Sequence, residues 1–183
     1  EFVKGKELRS YFVAGERFAD KDIARIMGEI LGALEHAHHT GVTHRDMKPA
    51  NVIILEGGAV KVADFGLARI ETSDLTQAGT LLGTPTYMSP EQFLGTPADG
   101  RSDIFSCGVM LYQFLTGERP FTGAVTTIMR KVLGEEPLPP SQLNATLSPQ
   151  WDRVVRRAMA KKPNERYQSA AQFAADIQAV AQG

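Results

Sequence analysis

The strongest constraint on what this chain can fold into is the stretch from Ile104 to Leu115, apolar on nearly every side and broken only by Ser106, Gly108 and Gln113. A helix without a polar stripe has no face to give to water, so this one is expected in the middle of a domain with other elements packed round it. It is too short to span a bilayer, and Gly117-Glu118-Arg119-Pro120 is expected to close it. The 183 residues can supply the surroundings: 43% are apolar, and 20 Lys+Arg against 21 Asp+Glu leave a formal charge of -1. That balance suits one soluble domain with a sizeable core. It gives no electrostatic reason to expect a nucleic-acid partner or a membrane contact from this segment. The single cysteine, Cys107, excludes an internal disulfide, and one Cys with four His argues against structural zinc, so a reducing, cytoplasmic location is expected.

From Asp20 to His39, Ile23, Ile26, Ile30, Leu31, Leu34 and Ala37 recur at three- and four-residue steps, predicting one long amphipathic helix that Asp20 caps and Gly41 ends. Three more helices are expected at about 124–133, 149–160 and 169–181, separated by Pro137-Leu138-Pro139-Pro140 and Lys162-Pro163-Asn164. Val52–Leu55 and Ala59–Val62 flank Glu56-Gly57-Gly58 and predict a short hairpin. The stretch from 66 to 101, with six Thr and three Pro, has no sustained period and reads as one long irregular segment. Within it, Gly95 to Ser102 has the glycine spacing of a phosphate loop, but Arg101 stands where Lys is required and no strand precedes it, so it reads as a loop. His36, His38 and His39 do not complete a metal set, and His38 is expected to pack at the helix end.

Chemistry concentrates in the polar loop His44-Arg45-Asp46-Met47-Lys48-Pro49-Ala50-Asn51, followed after the hairpin by Asp64-Phe65-Gly66. Transfer of a phosphoryl group from a nucleotide needs Mg2+ to neutralise phosphate oxygens, and Mg2+ takes one or two carboxylate or amide oxygens beside the phosphates themselves. Asn51 and Asp64, at the mouths of the hairpin, can supply them. Asp46 can orient an attacking hydroxyl and accept its proton. The same residue types are also the ordinary vocabulary of turns.

Together the two motifs resemble the protein kinase family. The resemblance implies a mainly α fold: the helical C-terminal lobe of a kinase over 1–183, with a short β-hairpin at the nucleotide site and no N-terminal β lobe. It would be divided into a hinge (1–7), catalytic loop (42–51), activation segment (64–91) and helical subdomain (103–183). It implies Asp46 and Lys48 as catalytic, Asn51 and Asp64 as ligands of Mg2+ (or Mn2+), and Glu1, Val3, Glu7 and Ile53 as the ATP contacts, with Val52 and Ile54 beside Ile53. Gly83-Thr84-Pro85 to Glu91 resembles the end of an activation segment, with Ser89 where the family usually has Ala. His44, Arg45, Phe65, Glu91, Asp103 and Arg166 are its structural supports: Asp103 resembles the buried aspartate that holds the catalytic loop by its amides, and Arg166 the partner of Glu91. Lys48-Pro49 and Thr84 resemble serine/threonine kinases, Ser89-Pro90-Glu91-Gln92 bacterial ones. Thr76 and Thr80, then Thr72 and Ser73, are the expected phosphorylation sites, with Thr84 facing the substrate.

The sequence contains no Gly-x-Gly-x-x-Gly, and it opens on Glu1-Phe2-Val3-Lys4-Gly5 without an initiator Met, so it is expected to be cut from something longer. The implied reaction is transfer of the γ-phosphate of Mg-ATP to Ser or Thr of protein substrates, in a parent that could be anchored to a membrane elsewhere. By itself the chain is expected to be nearly inactive, its missing N-lobe being a partner. The alternatives are a pseudokinase or scaffold lobe that binds partners without catalysis, and an isolated helical domain of the same fold.

Overall fold

In the computed structural model, residues 4–65 and 85–183 are described. Glu1, Val3, Gly66, Thr72, Ser73, Thr76, Thr80, Gly83 and Thr84 lie outside them. The described elements are mainly helical: β1 (Gly5–Glu7), α1 (Leu8–Val13), α2 (Asp20–His39), β2 (Val52–Leu55), β3 (Val60–Val62), α3 (Pro90–Phe93), α4 (Gly100–Thr116), α5 (Val125–Gly134), α6 (Pro140–Leu143), α7 (Gln150–Ala158) and α8 (Ala170–Ala181). Short 3-10 turns stand at Pro49–Asn51, Pro85–Tyr87 and Pro163–Glu165.

Helix α4 is the pillar, buried from Ser102 to Leu115 except at Gln113. It starts at Gly100, four residues before the apolar run, because Asp99 caps its N-terminus by accepting from the Arg101 amide at 2.8 Å. So Gly100 to Ser102, expected in a loop, are its first turn. Gly117 ends it in the left-handed conformation at φ 78°. Helix α2 packs against α8 and α4, burying Ile23, Ile26, Ile30, Leu31 and Leu34. Asp20 is not its cap: Ala19 holds that position, and the Asp20 carboxylate instead accepts from Nε1 of buried Trp151 on α7 at 3.0 Å. An indole N–H inside a core needs an acceptor, and Asp20 is in reach.

The hairpin belongs to a three-stranded antiparallel sheet in the order β1-β2-β3. Strand β1, Gly-Lys-Glu, carries no apolar alternation and is held by backbone pairing, with Gly5 opposite Leu55 and Glu7 opposite Ile53. Gly5 permits the approach, since a Cβ there would stand 2.7 Å from both Ile53 Cγ2 and the Ile54 carbonyl oxygen. At the far end of the hairpin, Gly58 takes the positive φ of 84° that the turn requires. The turn is fastened to α2: Arg25 Nη1 donates to the Gly58 carbonyl at 2.6 Å, and Glu29 Oε2 accepts from the Val60 amide at 2.7 Å.

Helices α4 and α7 touch where Gly108 has no side chain; a Cβ there would stand 2.8 Å from Met159 Cγ and 2.9 Å from Ala158 Cβ. Overpacking of this kind costs about 1–3 kcal/mol. Gly108→Val is expected to lower unfolding free energy by that amount, read as a lower urea midpoint with an unchanged denaturant slope.

Candidate functional site

The loop between α2 and β2 has few apolar anchors and is held mainly by hydrogen bonds to one buried carboxylate. Asp103, in the first turn of α4 and 1% exposed, accepts from the His44 amide through Oδ2 at 2.9 Å and from the Arg45 amide through Oδ1 at 2.8 Å. Its Oδ2 also accepts from His38 Nε2 at 2.8 Å. Arg45 sits between these anchors at φ 67°, a left-handed conformation uncommon for a residue with a Cβ. Its carbonyl accepts from Gln92 Nε2 at 2.7 Å, so both peptide groups of the strained residue are held.

His44 is fully buried, and both ring nitrogens are engaged. Nδ1 accepts from the Asp46 amide at 3.2 Å, so Nε2 carries the proton and donates to the Ala63 carbonyl at 2.8 Å. The ring meets Phe65 edge to face at 4.9 Å. One imidazole thereby joins the polar loop to the segment that carries Asp64.

Three side chains of the polar loop converge. Lys48 Nζ donates to Asp46 Oδ2 at 2.7 Å, and Asn51 Nδ2 donates to the Asp46 carbonyl at 2.8 Å and to its Oδ2 at 3.3 Å. Among the described residues no donor reaches Asp46 Oδ1, and the side chain is 43% exposed. Asn51 closes a 3-10 turn and leads into β2, while Asp64 follows β3 by two residues. The Ala63 amide donates to the Asn51 carbonyl at 2.8 Å, so the two oxygen-bearing side chains stand at the same end of the hairpin. Asp64 is exposed and takes φ 61°. The donor set is an amide oxygen and a carboxylate, the hard oxygens that Mg2+ prefers.

The strand period corrects one expectation. Val52 and Ile54 point into the core, so they do not flank Ile53, which lies on the opposite face. Across the sheet Ile53 is opposite Glu7, which puts these two expected contact residues side by side. Glu7 itself is exposed, at the junction of β1 and α1.

Behind the loop, Glu91 and Arg166 form a bidentate pair at 2.7 and 2.8 Å, with side chains 8% and 0% exposed. Arg166 also donates to the carbonyls of Ala160, Lys161 and Arg101, and Ser102 Oγ to Glu91 Oε1. Burial alone would raise the Glu91 carboxyl; the hydrogen bonds from Arg166 and Ser102, with the guanidinium charge, hold it below its ordinary value of 4.5. Burial pushes the Tyr87 phenol up to about 12, and as a neutral donor it reaches Gln113 Oε1 at 2.6 Å.

Gln92 was not legible as a site residue. Its Oε1 accepts from the Ser89 amide at 3.0 Å while its Nε2 reaches the Arg45 carbonyl, so α3 and the polar loop share one amide group. The signal available was Ser89 followed three residues later by Gln, a capping pair. His38 packs at the C-terminal end of α2, as its place in the sequence suggests, but nothing in the sequence sets residue 38 beside residue 103.

The sequence pattern of the protein kinase domain matches residues 1–176. The chain is 43% identical to a probable serine/threonine-protein kinase of Corynebacterium efficiens, over 97% of this chain and 28% of that protein. It is 41% identical to serine/threonine-protein kinase PknB of Mycolicibacterium smegmatis and to that of Mycobacterium tuberculosis, over 100% of this chain and 30% of each relative. The chain thus spans less than a third of the length of these curated relatives.

Removing one partner of a buried ion pair strands the other. Arg166→Met is therefore expected to cost about 3–5 kcal/mol, and Glu91→Gln in the same chain to recover part of it. The depressed carboxyl adds a pH signature. The unfolded chain binds the Glu91 proton near 4.5 and the folded chain only at lower pH, so this stability is full above 4.5 and drains as pH falls through the folded value. Urea midpoints measured from pH 7 to pH 3 should fall less steeply in Glu91→Gln than in the unsubstituted chain.

Proposed function

Because the chain belongs to the protein kinase family, we propose that it carries the catalytic loop of a serine/threonine kinase whose complete form transfers the γ-phosphate of ATP to Ser or Thr hydroxyls of proteins. The observation that carries this reading is the half-engaged carboxylate of Asp46. Lys48 and Asn51 hold Oδ2, while Oδ1 meets no donor among the described residues. A hydroxyl arriving from solvent finds an acceptor whose orientation is already fixed, which is what proton removal during phosphoryl transfer needs. Lys48 Nζ, 2.7 Å from that carboxylate, is placed to meet the negative charge on the transferring group.

Asn51 and Asp64 would hold Mg2+ or Mn2+. The Asn51 amide spends its N–H groups on Asp46, which leaves its oxygen for another partner, and Asp64 offers an exposed carboxylate at the same end of the hairpin. The ion supplies neutralisation of phosphate oxygens. Ile53, on the face of the sheet turned from the core and beside Glu7, would lie under the adenine, with Glu7 at the ribose and Glu1 and Val3 at the base edge. His44, Arg45, Phe65, Asp103, Glu91 and Arg166 position these groups without touching the reactants. Thr76 and Thr80 are the proposed phosphorylation sites, with Thr84 facing the substrate. The names of the relatives support the Ser/Thr class, as does Lys48-Pro49.

Positioning a triphosphate takes groups on both sides of it, and no glycine-rich phosphate loop occurs in the sequence. These 183 residues alone are therefore expected to transfer little phosphate. In label transfer from γ-labelled ATP with Mg2+, a longer protein that carries the upstream segment should be active, and Asp46→Asn in it should lower the rate by about a hundredfold to ten-thousandfold. Equal rates for that protein and its Asp46→Asn form would overturn the assignment. No transfer by the longer protein would favour a non-catalytic scaffold.

A further inference from the structure

A cavity of about 440 Å³ opens at the start of α2, at the other end of that helix from the polar loop. It lies between the chain entering α2, the C-terminal end of α4, and the end of α6 with the segment that follows it. Its volume falls in the range of about 300–1,000 Å³ usual for small-molecule sites. Part of its lining is aromatic and fixed: Phe18 meets Phe114 edge to face at 5.1 Å, and Phe12 meets the same Phe114 ring at 4.8 Å. Leu147 adds to the apolar lining, and Leu143, the last residue of α6, is 44% exposed, an apolar side chain that an apolar ligand would cover.

The uncharged polar groups of the lining are already engaged. Thr116 Oγ1 donates to the Tyr112 carbonyl at 2.8 Å and accepts from the Glu118 amide at 3.0 Å. Asn144 Oδ1 accepts from the amide and the hydroxyl of Thr146 at 3.2 and 2.7 Å, and its Nδ2 turns to the Leu115 carbonyl at 3.4 Å. Two charges remain. The Arg17 guanidinium has neither a hydrogen-bond nor an ion-pair partner among the described residues. It lies against Gly117, where a Cβ would stand 2.5 Å from Nη1 and 2.7 Å from Cζ, so the glycine that closes α4 also seats a guanidinium. Asp20 spends Oδ2 on Trp151 Nε1 at 3.0 Å, and among the described residues no donor reaches its Oδ1.

An aromatic wall, an unpaired cation and a half-used carboxylate in one cavity are matched by a ligand that has an apolar body and both charges. We propose that the cavity binds a free α-amino acid with an aromatic side chain. Its carboxylate meets Arg17, its ammonium meets Asp20 Oδ1, and its ring packs against Phe18 and Phe114. Charge-assisted hydrogen bonds of both signs fix its orientation, and the ring finds the edges and faces that aromatic pairs prefer. A carboxylate alone or an amine alone would leave one charge of the cavity unmatched beside apolar surface. None of the residues proposed for phosphoryl transfer lines the cavity, and the assignment does not depend on that reading.

Trp151 is the only tryptophan in the chain, and its indole shares Asp20 with the ligand, so its emission reports binding. L-Phenylalanine, which has no indole, should shift that emission saturably in the 183-residue chain. Phenylpropionate and phenethylamine, each with one of the two charges, should need concentrations about tenfold higher or more. Arg17 is exposed and lies between α1 and α2, so it can be changed without disturbing the core. Arg17→Gln should raise the midpoints for phenylalanine and phenylpropionate about tenfold and leave that for phenethylamine unchanged. Asp20→Asn, which keeps an acceptor for the indole, should weaken phenylalanine and phenethylamine and spare phenylpropionate. Equal midpoints for phenylalanine and phenylpropionate would overturn the proposal, as would a phenylalanine midpoint unmoved by Arg17→Gln. If the emission does not respond, saturation-transfer NMR on the phenylalanine ring protons decides: transfer that is lost in Arg17→Gln upholds the site, and transfer that is absent or unchanged overturns it.

Discussion

The arrangement of the site depends on one carboxylate taken out of water. Asp103 gains nothing from burial as such; an ion in a medium of low polarity is stable only when its lone pairs are satisfied. Here the donors are two consecutive main-chain amides and an imidazole, so the cost of hiding the charge and the cost of ordering a polar loop offset each other. The loop could not hold itself. It contains a residue at φ 67° and no helix or strand of its own beyond a single 3-10 turn, and its peptide groups would otherwise turn to water.

A second buried charge pair acts at a different level. Glu91 and Arg166 tie α3 to the segment before α8, across 75 residues of sequence, and Arg166 donates to three carbonyls as well. The pair serves as a hub for the chain segments that carry Glu91, Arg101, Ala160 and Lys161. Gln92, the neighbour of Glu91, faces the other way and takes the Arg45 carbonyl. Two adjacent residues of a four-residue helix thus join the ion pair and the polar loop, so displacement of either is felt by the other.

Long elements were legible because their signals are periodic. Helix α2 occupies the span its apolar spacing marks, and the later helices fall within two residues of theirs. What escaped was short or held by the backbone. Strand β1 has no side-chain pattern, and α3, α6 and the early start of α4 are set by caps and prolines within stretches that look irregular. In the site, the residue types and their order were visible in His44 to Asn51 and in Asp64, because chemistry restricts which side chains can do the work. The cross-chain partners were not: Trp151 with Asp20 and His38 with Asp103 are set by how helices pack, which no local pattern encodes.

Helix α2 carries two attachments, Arg25 and Glu29 to the hairpin turn and His38 to Asp103. Glu29 and His38 are nine residues apart, about 13 Å along the axis and half a turn out of phase. The helix is therefore a ruler with two notches on opposite sides. Its length sets the spacing between the turn of the hairpin and the loop that leads into it, and its pitch sets their relative azimuth. A single residue inserted between the notches would advance one by about 1.5 Å and rotate it by about 100°. The helix could then engage the hairpin or the loop, but not both at once.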